Sequence, residues 1–429
     1  MSKQRIVVIG GGIAGASAVR ALTEAGPRDS LKIDVVERDV HGAYDRFDLP
    51  RVLRGDAHAT EIVRYDARWF AARGVELHQR NKVHLIDRFR RKVQAEGLSL
   101  SYDKLILAMG SGPYLPSIRN LLQPDGSLHP GVHVFRTLDD CDALAAAAGA
   151  VKRVAVLGGG RLGVELSAAL AARCPEVQLF HQGARLMSSQ LDFTAATMLK
   201  TKLESTGARL QLGKRAVAIH AEGEQRRLEF QDGSSFECDI VVLATGFQPD
   251  TWLAYQCGLS VERGVVVEGR MRSLDDFNVH ALGECAQWRG SIHALPEQID
   301  KQAEVIAEHL TSQHADARYV GFKQASLYSV MGLNMTTMGS PERRDDDDVV
   351  QLGEPGRGRY KKLVLRDSRL VSGILLGDVS QAARLSRLYG SSAPLTHDER
   401  QRLFELSLPV EERSATDHAL PPPLPTDPH

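Results

Sequence analysis

Four β-branched residues that end on a glycine turn leave a chain few choices. Ile6-Val7-Val8-Ile9 is such a run, and Gly10-Gly11-Gly12-Ile13-Ala14-Gly15 follows it at once. Ala14 to Ala21 is mostly small, mostly apolar and free of proline, which predicts a helix. Strand, G-x-G-x-x-G, helix is the order that a dinucleotide site requires. Gly10 permits the tight turn, Gly12 lets backbone close on a pyrophosphate, and Gly15 lets the helix pack on the strand. The phosphates then meet free N–H groups at the positive end of the helix dipole. A second strand, Lys32 to Val36, ends in Glu37, whose carboxylate can accept both hydroxyls of an adenosine ribose.

The pattern recurs. Val154 to Leu157 runs into Gly158-Gly159-Gly160-Arg161-Leu162-Gly163 and a second predicted helix. Two such units imply two dinucleotides, and a flavin with a nicotinamide is the pairing that makes chemical sense. Glu165 falls on the first turn of that helix, where it can stabilise the terminus or point at a nicotinamide–flavin stack. The next strand, Val177 to Phe180, ends in His181 rather than an acid. His181 and Arg185 can meet a 2′-phosphate, which favours NADPH, or can be surface residues with no role. The strand-then-glycine segment Tyr102 to Ser111 is also duplicated, as Asp239 to Pro249.

At 429 residues, two or three domains are expected. A formal net charge of −1 gives no field for nucleic acid or an anionic membrane. No apolar run approaches the ~20 residues of a membrane-spanning helix. The first strand begins too early for a signal peptide, so a cytoplasmic protein is expected. Cys141, Cys174, Cys238, Cys257 and Cys285 are dispersed, with no C-x-x-C or C-x4-C pair. That suggests buried thiols in a reducing compartment. It also argues against a redox disulfide and a cysteine-ligated iron–sulfur cluster, and no metal site is expected.

Between these motifs, Gly42 to Arg51 reads as a loop or helix start. Its Arg46 and Arg51 either face a pyrophosphate or anionic ring edge or are simply solvated. Asp66 to Arg73 predicts a helix, and Arg91 to Leu100 a hairpin. Pro113, Pro116, Pro124 and Pro130 mark a crossover out of the first domain. Phe193 to Thr206 and Gln298 to His309 predict helices. Ala325 to Gly339 and Tyr360 to Gly377 predict strands, separated by a solvated acidic loop, Asp345 to Asp348. Ala382 to Tyr389 predicts a short helix. The end of the chain is polar and then proline-rich, the composition of a disordered tail or of a polyproline partner segment.

Together these motifs resemble the two-dinucleotide flavoprotein reductases of the pyridine nucleotide–disulfide oxidoreductase superfamily. Within it the chain is most similar to the flavin module of NAD(P)H-dependent nitrite reductase large subunits, then to rubredoxin and ferredoxin reductases. Ala43-Tyr44-Asp45-Arg46, Phe135-Arg136-Thr137, Ala244-Thr245-Gly246, Ala281 to Ala286, Met331-Gly332-Leu333 and Leu375 to Asp378 carry the resemblance beside the two glycine turns. It implies an α/β fold: two Rossmann-like three-layer dinucleotide-binding domains and a C-terminal α+β domain. The boundaries expected are 1–115 and 239–317 for FAD, 116–238 for NAD(P)H, 318–395 for the third domain and 396–429 for the tail.

The resemblance also assigns roles. Gly10, Gly12, Ile13, Ala14, Gly15, Glu37 and Arg38 would hold FAD, with Val83 meeting the adenine region through its backbone. Arg46, Ala108, Gly110, Arg136 and Leu295 would line the same cofactor. Gly283 and Glu284 would hold its ribityl chain and pyrophosphate, and Arg51 stands where relatives carry a lysine near the isoalloxazine. Gly158, Gly160, Leu162, Gly163, Glu165, His181, Arg185, Thr245 and Gly246 would hold NADPH or NADH. Met109, Pro50 and His181 replace a usual threonine, serine and acid. The large nitrite reductases continue into iron–sulfur and sirohaem domains, which are not expected here, so the chain is not expected to reduce nitrite by itself.

The activity implied is FAD-dependent NAD(P)H oxidation with electrons handed to a separate protein that carries a metal centre. Hydride passes from nicotinamide C4 to flavin N5 when the rings stack within about 3–3.5 Å, so no catalytic side chain beyond the flavin is expected, Arg51 and Glu165 being supporting. A homodimer is allowed for; nucleic acid and membrane partners are not expected. Two alternatives stand: an NAD(P)H oxidase or peroxidase, and a non-catalytic flavoprotein scaffold whose redox state controls association.

Overall fold

The computed structural model describes residues 3–26, 30–223, 225–311 and 316–405. The proline-rich segment 421–425 lies outside the described residues. The described residues pack as two compact units: those within 1–46, 58–112 and 247–321 form one, and those within 47–57, 113–246 and 322–429 the other.

The first unit is built on a parallel sheet of five strands, Gln4–Ile9, Leu31–Val36, Glu76–His78, Lys104–Leu107 and Val279–Ala281. Across the sheet they run fifth, fourth, first, second, third. Ile6, Val7 and Val8 are fully buried, as a parallel sheet covered on both faces requires. The helices Ile13–Ala25 and Pro296–Thr311 pack on each other. Ser17 Oγ donates to Asp300 Oδ1 at 2.8 Å, and Arg20 pairs with the same oxygen at 2.6 Å. The predicted hairpin is the centre of a small antiparallel sheet, Val83–Asp87, Lys92–Ala95 and Leu98–Ser101.

The second unit repeats the parallel sheet with Arg153–Leu157, Glu176–His181, Arg209–Leu212 and Ile240–Leu243, and Val132–Val134 at its edge. Its order is again fourth, first, second, third, counted from the glycine-turn strand. Phe180, Ile219, Leu228 and Phe230 fuse this sheet to the antiparallel strands Ala216–Glu222, Gln225–Phe230 and Ser235–Cys238 in one core. The α/β expectation therefore holds, with Rossmann-like layering in both halves and a third domain that is α+β.

That third domain, also in the second unit, is an antiparallel sheet in the order Ser326–Val330, Leu333–Met338, Arg369–Leu376, Arg359–Arg366, Asp348–Glu354. Two expectations are corrected here. The acidic run is solvated at Asp345, Asp346 and Asp348, but it is not all loop: Asp348 opens a strand, and the Asp347 carboxylate is buried and gripped by Arg366 through two bonds of 2.7 and 2.8 Å. Nor does packed structure stop at 395. Helix His397–Gln401 follows, and Leu403 is fully buried with Leu385 and Leu395. The buried Lys361 ammonium donates to Gln381 Oε1 and to the Glu405 carbonyl. One leucine in a polar stretch is enough to seat the segment, and composition averages it away. Among the described residues no helix is long and apolar enough to cross a membrane.

Candidate dinucleotide sites

In the first unit, strands one and four are neighbours although their connections leave in opposite directions, and such a switch point opens a crevice at their carboxyl ends. Gly10 closes that end: its φ is +102°, and a Cβ there would stand 2.3 Å from the Ala108 carbonyl oxygen. A Cβ on Gly15 would lie 1.9 Å from the Gly10 oxygen. Gly12 is different, because a Cβ there would meet nothing within 4 Å. It faces open ground before Ile13 and Ala14, at a helix terminus with no side-chain cap and no acid in its first turn. An uncapped terminus with free space at the third glycine fits a pyrophosphate.

Glu37 bridges the turn to the following loop. One carboxylate oxygen accepts from the Gly11 N–H and the other from the Asp39 N–H at 2.8 Å. Burial pushes its pKa up, against those two bonds. Glu284 sits in the short helical turn Gly283–Cys285 and accepts from Arg46 Nη1 at 2.7 Å and Ser111 Oγ at 2.5 Å. Gly283 is pinned by Gln302, whose Oε1 accepts its N–H at 2.8 Å, and a Cβ on Gly283 would lie 2.8 Å from the Ala14 Cβ. The fold thus brings Gly10 to Gly15, Arg46, Gly283 and Glu284 together.

Ser111 and Gln302 are absent from the sequence-derived site. Gln302 was findable: it is a polar residue three places after Ile299 and four before Ile306, both buried. Val83 is buried and lines a cavity of about 450 Å³ with Lys82, His84, Glu96 and Trp252. Arg38 pairs with Asp250 at 3.4 Å, the Gly110 carbonyl accepts from the Asp250 N–H, and the Leu295 N–H, just before helix Pro296–Thr311, donates to Gln298 Oε1 at 3.2 Å.

The second unit reproduces the turn closely. Gly158 has φ +123° with the Ala244 oxygen 2.2 Å from a would-be Cβ, Gly163 again abuts the first glycine at 1.9 Å, and Gly160 again faces nothing within 4 Å. Leu162 is the second residue of the helix Arg161–Ala171, which also lacks a side-chain cap. Thr245 Oγ1 donates to the Tyr114 carbonyl at 2.7 Å, and the Gly246 carbonyl accepts from the Tyr114 N–H.

Three of the expected side chains bond within the unit. Glu165 is the fifth residue of its helix, past the first turn, and its Oε1 accepts the Met331 N–H of the third domain at 2.9 Å. Arg185 is tied to its own loop: Nε donates to the Leu191 carbonyl at 2.9 Å, Nη2 to the Ser188 carbonyl at 3.1 Å, and the guanidinium lies over Phe193. His181 is half-buried rather than a loose surface residue: its Nδ1 accepts the Gly159 N–H at 3.1 Å and burial holds its pKa down. Arg51 and Arg136 both belong to this unit. Arg51 is exposed and pairs with Asp48 at 3.2 Å, and the Arg136 N–H donates to Asp140.

Burial pushes every thiol up, Cys141 to about 11 and Cys238 and Cys285 to about 12, and all five cysteines are single. Protonated buried thiols are poor nucleophiles.

The family model for pyridine nucleotide-disulphide oxidoreductases matches residues 4–304, and that for the rubredoxin NAD+ reductase C-terminal domain matches residues 326–392. The chain is 30% identical over 417 residues to a nitrite reductase [NAD(P)H] of Bacillus subtilis (97% of this chain, 50% of the relative). It is 32% identical over 386 residues to the assimilatory nitrate reductase electron transfer subunit of the same organism (90% of this chain, 49% of the relative). It spans about half the length of these curated relatives. Among solved structures it is similar to the covalent putidaredoxin reductase–putidaredoxin complex, with TM-score 0.81 and 21% identity over 96% of this chain and 98% of that one, a likeness of fold. With two matched glycine turns and a family model covering most of its length, this chain belongs to the pyridine nucleotide-disulphide oxidoreductase family.

Proposed function

We propose that the chain is an FAD-dependent NAD(P)H reductase that passes electrons to a separate redox protein with a metal centre, of the nitrite or nitrate reductase, rubredoxin or ferredoxin kind. The cytoplasm is its proposed compartment, which five single thiols suit. One observation carries the reading: two open, uncapped dinucleotide turns share a chain whose thiols are single and held protonated by burial. Electrons taken from a nicotinamide then have no disulfide to go to.

FAD and NAD(P)H are the family's cofactors, and bound FAD supplies a hydride acceptor that can release electrons singly. In the first unit Gly12, Ile13 and Ala14 would present N–H groups to its pyrophosphate. Glu37 would order the turn, and Arg46 and Ser111 would hold Glu284 in place. In the second unit Gly160, Arg161 and Leu162 would do the same for the nicotinamide nucleotide.

Purified protein is expected to be yellow and to release FAD, not FMN, on denaturation. Turnover with ferricyanide should be fast, and turnover with glutathione disulfide or lipoamide negligible. A colourless protein that FAD cannot reconstitute, or efficient disulfide reduction, would end the reading. Oxygen consumption as fast as ferricyanide turnover would make the chain an oxidase instead.

A further inference from the structure

The end of the second strand in each unit holds one side chain against the middle glycine of the turn. In the first unit this is Glu37 on Gly11, and in the second it is His181 on Gly159. A ring nitrogen that accepts an N–H carries no proton itself, so the neutral imidazole bears its proton on Nε2. That nitrogen is buried, its nearest polar neighbour being the Arg185 backbone, and a Cβ on Gly183 would stand 2.7 Å from it. The ring is also pressed on the turn, for a Cβ on Gly159 would lie 2.6 Å from its Cγ. His181 is therefore enclosed between the glycine turn and the loop that follows it. The same loop is tied down by the Met187 N–H on the Gly159 carbonyl and the Lys214 N–H on the His181 carbonyl. Arg185 spends two of its donor groups on carbonyls of this loop.

We infer that His181 is an internal tether and that the second unit admits the 2′-phosphate of NADP(H) because position 181 carries no negative charge, not because Arg185 grips the phosphate. A carboxylate at this place both accepts ribose hydroxyls and repels a 2′-phosphate. An uncharged ring does neither, so the unit should separate the two nucleotides only weakly. The inference rests on the proposed use of a nicotinamide nucleotide by this unit, but it concerns the adenosine half alone.

It can therefore be tested without electron transfer, by calorimetric binding of 2′,5′-ADP and 5′-ADP to the FAD-loaded full chain. The wild type is expected to bind the two within about tenfold of each other. His181→Glu should weaken 2′,5′-ADP by tenfold or more and leave 5′-ADP equal or tighter. Glu37 in the first unit shows that a glutamate here reaches the middle glycine, so the variant should fold. His181→Gln, which keeps an acceptor for Gly159 without charge, should leave the ratio unchanged. Arg185→Gln should shift both ligands together. A wild type that binds 5′-ADP a hundredfold tighter would overturn the inference, as would selective loss of 2′,5′-ADP in Arg185→Gln with none in His181→Glu. Failure of both ligands to bind would instead count against the second unit as a nucleotide site.

Discussion

The two glycine turns share backbone geometry to a few tenths of an ångström in their forbidden approaches, yet they end their second strands in opposite chemistry. Gly10 and Gly158 crowd the carbonyls of Ala108 and Ala244 at 2.3 and 2.2 Å, and the third glycines both face open space. Backbone requirements of a phosphate cradle leave no freedom, so they repeat. The residue that closes the cradle needs only to accept one N–H, and a carboxylate and an imidazole both can. The difference teaches that the backbone of the cradle and the side chain that closes it are set separately: the turn repeats, while the closing group is a carboxylate at position 37 and an imidazole at position 181.

The largest effect should come from breaking the shared part. Gly10→Ala and Gly158→Ala each force a Cβ into a carbonyl at positive φ, costing about 3 kcal/mol or more. Gly10→Ala should abolish FAD retention. Gly158→Ala should keep the flavin and lose its reduction by either nucleotide. Bound-flavin content and anaerobic bleaching separate the two.

Next comes the part that differs. Glu37→Gln keeps an acceptor for Gly11 but loses the charge and the acceptor for the Asp39 N–H, and should weaken FAD by roughly 1.5–3 kcal/mol, about ten- to a hundredfold. The matching His181→Gln should move nicotinamide nucleotide affinity far less, since no charge is lost. Flavin dissociation constants and nucleotide titrations give the two numbers.

Gly12→Ala and Gly160→Ala are smaller still. Neither meets an atom in the protein, so Tm should stay within about 2–4 °C. Each should nevertheless weaken its own dinucleotide about tenfold by filling the ground a phosphate would use.

The smallest effect is a difference of pH slope. Burial holds His181 below its ordinary 6.5 and Glu37 above its ordinary 4.5. The His181 contribution is thus present above 6.5 and lost as pH falls through its folded value. The Glu37 contribution is present below 4.5 and lost as pH rises through its folded value. From pH 7 to pH 5 the stability lead of wild type over His181→Gln should shrink, and that over Glu37→Gln should grow. Equal slopes in paired melting curves would show that the two sites are not opposites.

Both turns, their strands and Glu37 were legible because glycine spacing and β-branched runs are local signals. The fate of His181 was not, since a histidine at a strand end reads the same whether its ring faces solvent or folds back on a glycine N–H. The bonds of Arg185 were not legible for a similar reason: they go to carbonyls, and every residue has one. Asp347 looked solvated beside three other acids, and only the antiparallel pairing brings Arg366 to it. Glu165 lies far in sequence from Met331, and no spacing rule spans that separation.

That last bond has a consequence for exchange. Met331 and Gly332 form a two-residue hairpin turn in which both φ values are positive, 51° and 75°. A residue other than asparagine, aspartate or glycine is uncommon at the first of these positions. Its amide points away from the ladder, where water would normally reach it, and is instead covered by the Glu165 carboxylate. Deuterium can enter there only when the glycine-turn helix and the hairpin tip part. The exchange rate of this single amide thus counts those separations directly, and Glu165→Ala should unmask it while leaving the amides of the flanking strands protected.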